Sequence, residues 1–549
     1  MKNLFLFCCC LWMVVQNSYA QQEKTWFYII AKDTSFQPEF FKTKGLLHYQ
    51  GEDKALKELL DKYKLSIFKK TYREASKKNL QRTFFVVADD KKLLKDLLLN
   101  TPYFLDGWII PQEKRKIYEP NDYGLTSTIG SNEGAQVNLD YLDFLGVPKA
   151  WYYTTGSPDV IIGVSDGSID TTDIEFAGKS KIVRPSTLSK GHGFSVSETI
   201  AGKGDNAYGI AGICYNCTLY TTSFGYYDDY EQLLELSKMG ARVINCSWGT
   251  TRAYEKAQAA VDSMYKNGTL LVAAGHNVSL SVSKGERYYY PASYDKVIAV
   301  SSAMHRYNSP FDNILSGETE KGTYYYANNI KGYIGRNAGF RNNDTTKVPV
   351  IYKQSIRNLN DQIDILGPSV GIYRYSQQLL HDVDSMSVGS ATSGVTPLIT
   401  GTIGLMFSLC PCLPTDEVES ILKITAWNID AIEPNTPYKG IYGAGMLQTG
   451  DAVEMVYQLY NEKETVYIED QDFSRWDFKL TSYAKRVVMQ NQKFTEDATL
   501  NLRSKKAIVI KPNTVLKPNK SGKIHLRIDP ALERECDLVL RDPSILEKD

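Results

Sequence analysis

The chain carries no excess charge of either sign: 63 Lys and Arg balance 63 Asp and Glu over 549 residues. Neither nucleic acid nor an anionic membrane surface is therefore an expected partner. Histidine is scarce. His48, His192, His276, His305, His381 and His525 are the full set, so imidazole chemistry is confined to six places. After the first 20 residues no apolar run is long and charge-free enough to cross a bilayer, and no transmembrane segment is expected. Cysteine is sparse too. Three of the nine, Cys8, Cys9 and Cys10, fall in an N-terminal leader, which leaves Cys214, Cys217, Cys246, Cys410, Cys412 and Cys536. An even number in an oxidising compartment permits disulfides. Cys214-Tyr-Asn-Cys217 has the spacing of a redox pair or half a zinc knuckle, but no second knuckle or nearby histidine completes it. Cys410-Pro-Cys412 is too tight to supply one. Structural disulfides or buried thiols are the expectation, and no metal ligands are assigned.

What is present is globular, 43% hydrophobic with 23% charged residues, over a length that suits two or three domains. Residues 1–20 have the form of a secretory signal: Lys2, an apolar run over 4–15, and a small-x-Ala cleavage site at Ser18-Tyr19-Ala20. Export is the consequence, to the periplasm, the cell surface or the extracellular space. Residues 24–112 alternate strand, helix, strand, strand, helix, strand, the order of a ferredoxin-like α+β unit. Residues 113–140 are polar, with Pro120, Asn121, Gly124, Gly130 and Gly134, and read as a linker. From 141 to 460, short apolar strands (160–164, 218–223, 243–246, 270–274, 297–301) alternate with helices (229–239, 253–265, 393–409, 416–425). That pattern predicts an α/β fold, a parallel sheet with helices on both faces and its site at the carboxyl ends of the strands. Residues 304–361, rich in Tyr, Asn, Gly and Lys, form an insertion. Residues 463–549 turn to short strands separated by Pro512-Asn513 and Ser521-Gly522, a small β-rich module.

The chain is organised around residues 385–409, SMSVGSATSGVTPLITGTIGLMFSL. Small polar residues and glycine give way to a segment apolar on every face, which predicts a buried helix. Gly401 and Gly404 cost helix propensity and so point to close backbone approach. Pro397 has no N–H and fits the first turn, which places the helix start near Ser393 or Gly394. At such an N-terminus a serine is a favoured N-cap. It is equally placed to act as a nucleophile, because unpaired N–H groups and the helix dipole favour developing negative charge there.

Three blocks then fall in one order: Val-Ser-Asp166-Gly-Ser-Ile, Gly191-His192-Gly-Phe-Ser-Val-Ser-Glu-Thr-Ile-Ala-Gly202, and Ala-Thr392-Ser393-Gly-Val-Thr-Pro397-Leu-Ile-Thr-Gly401. A serine hydroxyl needs a base near the working pH, which histidine provides, and the imidazole needs an acceptor on its other nitrogen, which aspartate provides. The order Asp, His, Ser and the blocks themselves resemble the subtilisin-like serine peptidases, the subtilases. Within them Gly167 and Ser168 are transposed, and Phe194, Ser195 and Glu198 depart from the pattern. The resemblance spans about residues 142–452. It implies an exported serine endopeptidase acting on peptide or protein substrates through an acyl-enzyme, with Asp166 orienting, His192 as general base and acid, and Ser393 as nucleophile. It further implies a substrate-pairing edge at Ser247-Trp248-Gly249, within VINCSWG. The oxyanion donor falls at His276 or Asn277, since LVAAGHN places histidine where the family has asparagine and puts asparagine one residue late. A small α+β domain ahead of the peptidase implies an inhibitory propeptide. No cofactor is required. Calcium is possible, as in some subtilases, without an assignable site, and nothing indicates an oligomeric state. The departures around each block leave one rival: a catalytically weak or inactive protein of the same fold that binds peptides or protein partners.

Overall fold

The computed structural model describes residues 24–43, 46–70, 82–111, 116–123, 139–186, 191–280, 288–327, 329–370, 391–519 and 521–546. The leader 1–20, much of the linker 113–140 and the approach 385–390 to the apolar helix lie outside them.

The N-terminal part has strands β1 (Thr25–Ala31), β2 (Phe40–Thr43), β3 (Leu46–Tyr49), β4 (Leu65–Lys70), β5 (Thr83–Ala88) and β6 (Phe104–Ile109). The order β4-β5-β1-β6, antiparallel at each described pairing, together with helices Lys54–Leu60 and Lys92–Asn100, is the ferredoxin-like arrangement. The small hairpin β2–β3 is an addition that helix and strand periodicity did not signal. Lys69 ties this domain to the next part of the chain, paired with Glu119 and, at 3.3 Å, with Asp143. Lys42 Nζ donates to the Tyr123 carbonyl at 3.0 Å.

The central sheet uses β7 (Ile161–Asp166), β8 (Ser180–Ile182), β9 (Thr218–Ser223), β10 (Ala241–Cys246), β11 (Leu270–Ala274) and β12 (Val297–Ala303). The insertion after β12 contributes β13 (Ile314–Thr319), β14 (Gly322–Ala327), β15 (Asn337–Gly339) and β16 (Val350–Ile351) before the chain rejoins the sheet as β17 (Ile365–Pro368). The sheet order is β17-β12-β11-β10-β7-β9-β8, parallel throughout. Strands β10, β11 and β12 are buried almost end to end, as sheets covered on both faces require. The insertion is held at its start by Asp140, which accepts from Arg306 Nε at 2.6 Å and contacts His305 Nε2 at 3.3 Å. Burial alone would raise the Asp140 carboxyl, but hydrogen bonds and charge from His305 and Arg306 outweigh it and hold the carboxyl at about 2.

Helix Thr392–Leu409 crosses beneath the sheet with all 18 residues buried. Among the described residues it is the one helix long and apolar enough to span a membrane, and its complete burial makes it a core helix. The expected close approaches are there. A Cβ on Gly401 would lie 2.6 Å from Ile213, and one on Gly404 would lie 2.6 Å from Ile162 and 3.1 Å from Cys214 Sγ. The helix begins at Thr392, ahead of the expected start, so Pro397 sits in its second turn. Proline there forfeits a bond to the Ser393 carbonyl and costs about 3 kcal/mol in an ordinary helix interior. Here the Ser247 hydroxyl takes that carbonyl at 3.1 Å.

Cysteines behave as expected: Cys214–Cys217 and Cys412–Cys536 form disulfides, while Cys246 and Cys410 are buried thiols. The C-terminal module is more regular than turn signals suggested. Strands β18 (Thr465–Glu469), β19 (Asp472–Phe473), β20 (Asp477–Ser482), β21 (Arg486–Gln490), β22 (Lys493–Glu496), β23 (Thr499–Ser504), β24 (Ile508–Ile510), β25 (Val515–Pro518) and β26 (Ile524–Ile528) stack as three parallel sheets, β18-β21-β24, β19-β22-β25 and β20-β23-β26. This is a three-turn parallel β-solenoid. Inward residues repeat down the stack, as in Val466, Val487 and Ile508, or Phe478, Leu500 and Ile524.

Candidate active site

Asp166 ends β7, at the carboxyl edge where a parallel sheet presents its site. Its Oδ1 accepts from the Gly167 N–H at 2.6 Å and lies 2.7 Å from His192 Nδ1. The carboxylate side chain is 4% exposed and the imidazole 50% exposed, so one end of the pair is dry and the other faces solvent. An ionised carboxylate accepts only, so Nδ1 carries the proton and Nε2 is left as the basic nitrogen. Glycine makes this approach possible. A Cβ on Gly193 would stand 2.2 Å from the Gly167 carbonyl, and Gly191, at φ 117°, turns the chain into helix His192–Ala201. The transposed pair is accommodated in the same place: the Gly167 carbonyl packs against Gly193, and Ser168 Oγ donates to the Ser186 carbonyl at 2.9 Å.

Ser393 is the second residue of the buried helix, and Ala391 is the N-cap, so Ser393 does not cap its own helix. Its Oγ donates to the Ser247 carbonyl at 3.1 Å, while the Ser247 hydroxyl donates back to the Ser393 carbonyl. Behind Ser247 a buried relay runs from Thr400 Oγ1 to Asn245 Oδ1 at 3.1 Å and from Asn245 Nδ2 to Ser247 Oγ at 2.9 Å. Asn245 was not among the expected site residues, although a polar side chain in the otherwise apolar strand VINC is a signal that could have found it. The relay fixes the backbone at Ser247, which in turn holds the Ser393 carbonyl.

The loop after β11 separates the two oxyanion candidates. His276 takes φ 86°, lies flat on Tyr289 with ring centroids 3.9 Å apart, and its Nδ1 accepts from the Val278 N–H at 3.3 Å. Asn277 is the residue brought to the serine helix. Its Oδ1 accepts from the Thr392 N–H at 2.7 Å and from Thr392 Oγ1 at 3.1 Å, supplying the cap that Ala391 lacks. A backbone N–H can only donate, so the amide orientation is determined and Nδ2 is the free end, with no partner among the described residues.

The edge at Ser247-Trp248-Gly249 is less open than expected. Ser247 is 5% exposed, its hydroxyl turned inward and its carbonyl occupied by Ser393. Trp248 is half-buried, with Nε1 donating to the Ser165 carbonyl at 2.9 Å. Thr250 pairs with Tyr290 through N–H to carbonyl bonds of 2.8 and 2.7 Å. An extended substrate is left Trp248 and Gly249 at most.

Two buried carboxyls, singled out by nothing in the sequence, lie close enough to influence one another, with Glu175 at the C-terminal end of helix His192–Ala201. Glu175 is fully buried; Oε1 accepts from Asn206 Nδ2 at 3.3 Å, and Oε2 has no hydrogen-bond partner among the described residues. Burial pushes its carboxyl up to about 8. Gly202 and Gly209 crowd it so closely that a Cβ at either would come within 3.0 Å of a carboxylate oxygen. Asp122 has no side-chain hydrogen-bond partner among the described residues, and burial pushes its carboxyl up to about 7. Hard oxygen donors of this kind suit calcium.

Comparison with known proteins gives the family. The chain is 24% identical over 422 residues to a calcium-dependent protease of Trichormus variabilis, covering 69% of this chain and 57% of that protein. It is 24% identical over 283 residues to subtilisin DY of Bacillus licheniformis, covering 49% and 85%. It is 27% identical over 311 residues to the halolysin-like extracellular serine protease Nep of Natrialba magadii, covering 53% and 47%. The chain thus spans about half the length of two of these relatives. The profile of the subtilase family matches residues 157–455, from just before β7 into helix Thr449–Tyr460, and the chain belongs to that family.

Proposed function

We propose that this chain is an exported serine endopeptidase whose triad is Asp166, His192 and Ser393. The observation that carries the reading is the 2.7 Å contact between His192 Nδ1 and a dry Asp166, which leaves Nε2 basic at the solvent-facing end. In the reaction Ser393 Oγ turns from the Ser247 carbonyl, gives its proton to His192 Nε2 and attacks the scissile carbonyl. Negative charge on that oxygen is met by the Ser393 N–H, at the positive end of the helix, and by Asn277 Nδ2. Asp166 stabilises the imidazolium, which then protonates the leaving amine, and water returns through the same steps to release the acyl group. Labelled casein is the direct test: the purified chain should degrade it, and a peptide chloromethyl ketone that alkylates His192 should stop the degradation. The contact of the Gly167 carbonyl with Gly193 and the bond from Thr392 to Asn277 support the catalytic reading over the non-catalytic rival, and no comparison favours that rival. Export rests on the leader at 1–20 and on the extracellular relative.

The ferredoxin-like domain is proposed as an inhibitory propeptide, because it precedes the catalytic sheet and is tied, through Lys42 to Tyr123 and through Lys69 to Asp143, to the segments that lead into that sheet. Residues 24–112 added in trans should inhibit the 140–549 fragment. Equal casein turnover by the unprocessed chain and by the fragment would end that assignment.

Calcium is proposed at Glu175, with Asp122 and Asn206 nearby, where it would pair carboxylate charge that burial otherwise penalises. Its contribution there is to stability, and no catalytic step passes through it. The sign is set by the raised carboxyl. Without calcium, the Glu175 contribution is fully present below about 4.5 and is lost as pH rises through about 8. Binding needs the ionised form, so calcium stabilisation should grow over the same window. The melting temperature in millimolar calcium should exceed that in EDTA by several degrees at pH 8.5, and by little at pH 5. Glu175→Gln should remove the difference. An EDTA effect that survives Glu175→Gln would move the site elsewhere.

A further inference from the structure

We propose that Arg357 and Asn358, at the end of the insertion, are positioning residues for the oxyanion donor Asn277. The inference rests on the proteolytic reading and gives the insertion a role within it. Three bonds cross from segment Ile356–Asn358 to loop Gly275–Leu280. Asn358 Nδ2 donates to the Gly275 carbonyl at 2.7 Å, Arg357 Nη1 donates to the Asn277 carbonyl at 2.9 Å, and the Leu280 N–H donates to the Ile356 carbonyl at 3.0 Å. The brace is itself anchored in the sheet, because Ser301 Oγ of β12 donates to the Asn358 carbonyl at 2.9 Å. Gly275 is locked from the other side: its N–H donates to the Val300 carbonyl at 2.8 Å, and a Cβ there would stand 2.7 Å from Ile363.

The brace answers a specific need. His276 sits at φ 86°, a left-handed conformation that costs a non-glycine residue about 1–3 kcal/mol and persists only when its surroundings hold it. Without that turn Asn277 would fall one place late, as it does in the sequence. The bonds to Gly275 and Asn277 grip the carbonyls before and after His276, and the Tyr289 stack holds its ring. Together they keep the Asn277 amide against Thr392, and hence its Nδ2 at a constant place relative to Ser393.

A donor displaced by about 1 Å loses much of its worth, up to about 10²-fold in rate. Arg357→Ala and Asn358→Ala should therefore each lower kcat per titrated active site by about 10-fold or more, with KM changed less than about 3-fold. Arg357→Lys should recover part of the loss. In an Asn277→Ala background the same substitutions should cost less than about 2-fold, since the donor they position is already gone. Full additivity, or an unchanged kcat, overturns the proposal. Should Asn358→Ala fail to fold, Arg357→Ala at its half-buried position carries the test. Chemistry and bracing are separated in Ser393→Ala protein: Arg357→Ala should speed amide hydrogen exchange over residues 276–280 by about 10-fold and leave β11 and β12 unchanged. Unchanged exchange overturns the brace whatever the turnover. Faster exchange in a chain whose native form hydrolyses nothing supports the brace and removes the proteolytic reading.

Discussion

Ser393→Ala is expected to lower peptide hydrolysis by several orders of magnitude while leaving the fold intact. A triad acts as a unit, and loss of the nucleophile costs about 10⁶ in kcat; the reference case is itself a subtilisin, so the figure is carried over from a relative. The fold should survive because the substitution deletes one hydroxyl whose bond goes to the Ser247 carbonyl. Such a bond is worth about 1 kcal/mol net. The second bond of the pair, from the Ser247 hydroxyl to the Ser393 carbonyl, is untouched, so the second-turn Pro397 remains compensated. Substrate KM should change little. Turnover in the purified variant above a few per cent of native would remove Ser393 from the nucleophile's role.

The next largest effect is expected at Asn277. Asn277→Ala removes the Nδ2 donor and should cost about 10²–10³ in kcat with KM nearly constant, a range that also comes from a subtilisin. It also uncaps helix Thr392–Leu409, because Oδ1 is what receives the Thr392 N–H. Loss of such a cap costs about 1 kcal/mol, so the melting temperature should fall slightly. Asn277→Asp separates the two effects: the acceptor stays, the donor goes, and activity should fall without the loss of stability. By contrast His276→Ala should change kcat by no more than a few-fold, since its ring is committed to Tyr289 and its Nδ1 to the Val278 N–H. The family pattern left His276 and Asn277 both open as the donor. The reverse result, a severe defect in His276→Ala and none in Asn277→Ala, would return the role to His276 and refute the shifted loop.

That one-residue shift marks the limit of what was legible in the residues. Five of the seven strands of the central sheet and the buried helix were readable because continuous apolar runs have few other uses, whereas the short edge strands β8 and β17 were not, and Gly401 and Gly404 announced close packing that Ile213, Ile162 and Cys214 supply. The Asp166 and His192 pairing was readable from two glycine-rich blocks at a strand end and a helix start. The turn at His276 was not, because a positive φ in a histidine depends on bonds from residues 356–358, some 80 positions away. The helix start was misplaced for a similar reason: Pro397 is tolerated in the second turn only because Ser247, far off in sequence, satisfies the orphaned carbonyl. The solenoid was hidden because its turns differ in length. Val466, Val487 and Ile508 repeat every 21 residues, whereas Leu500 and Ile524 stand 24 apart, so no single period runs through the module. Glu175 gave no signal at all, since an acid between Ile174 and Phe176 reads equally well as a surface residue.

The central claim is that Ser393 is a hydroxyl activated by His192 and Asp166, and fluorophosphonate labelling followed by peptide mass spectrometry tests it most directly. A fluorophosphonate reacts with a serine only where a base takes the proton and a pocket accepts the phosphoryl oxygen. The account predicts a single adduct, on Ser393, lost in His192→Ala and slowed in Asn277→Ala. An intact protein that takes up no label, or takes it up on another residue, would contradict it.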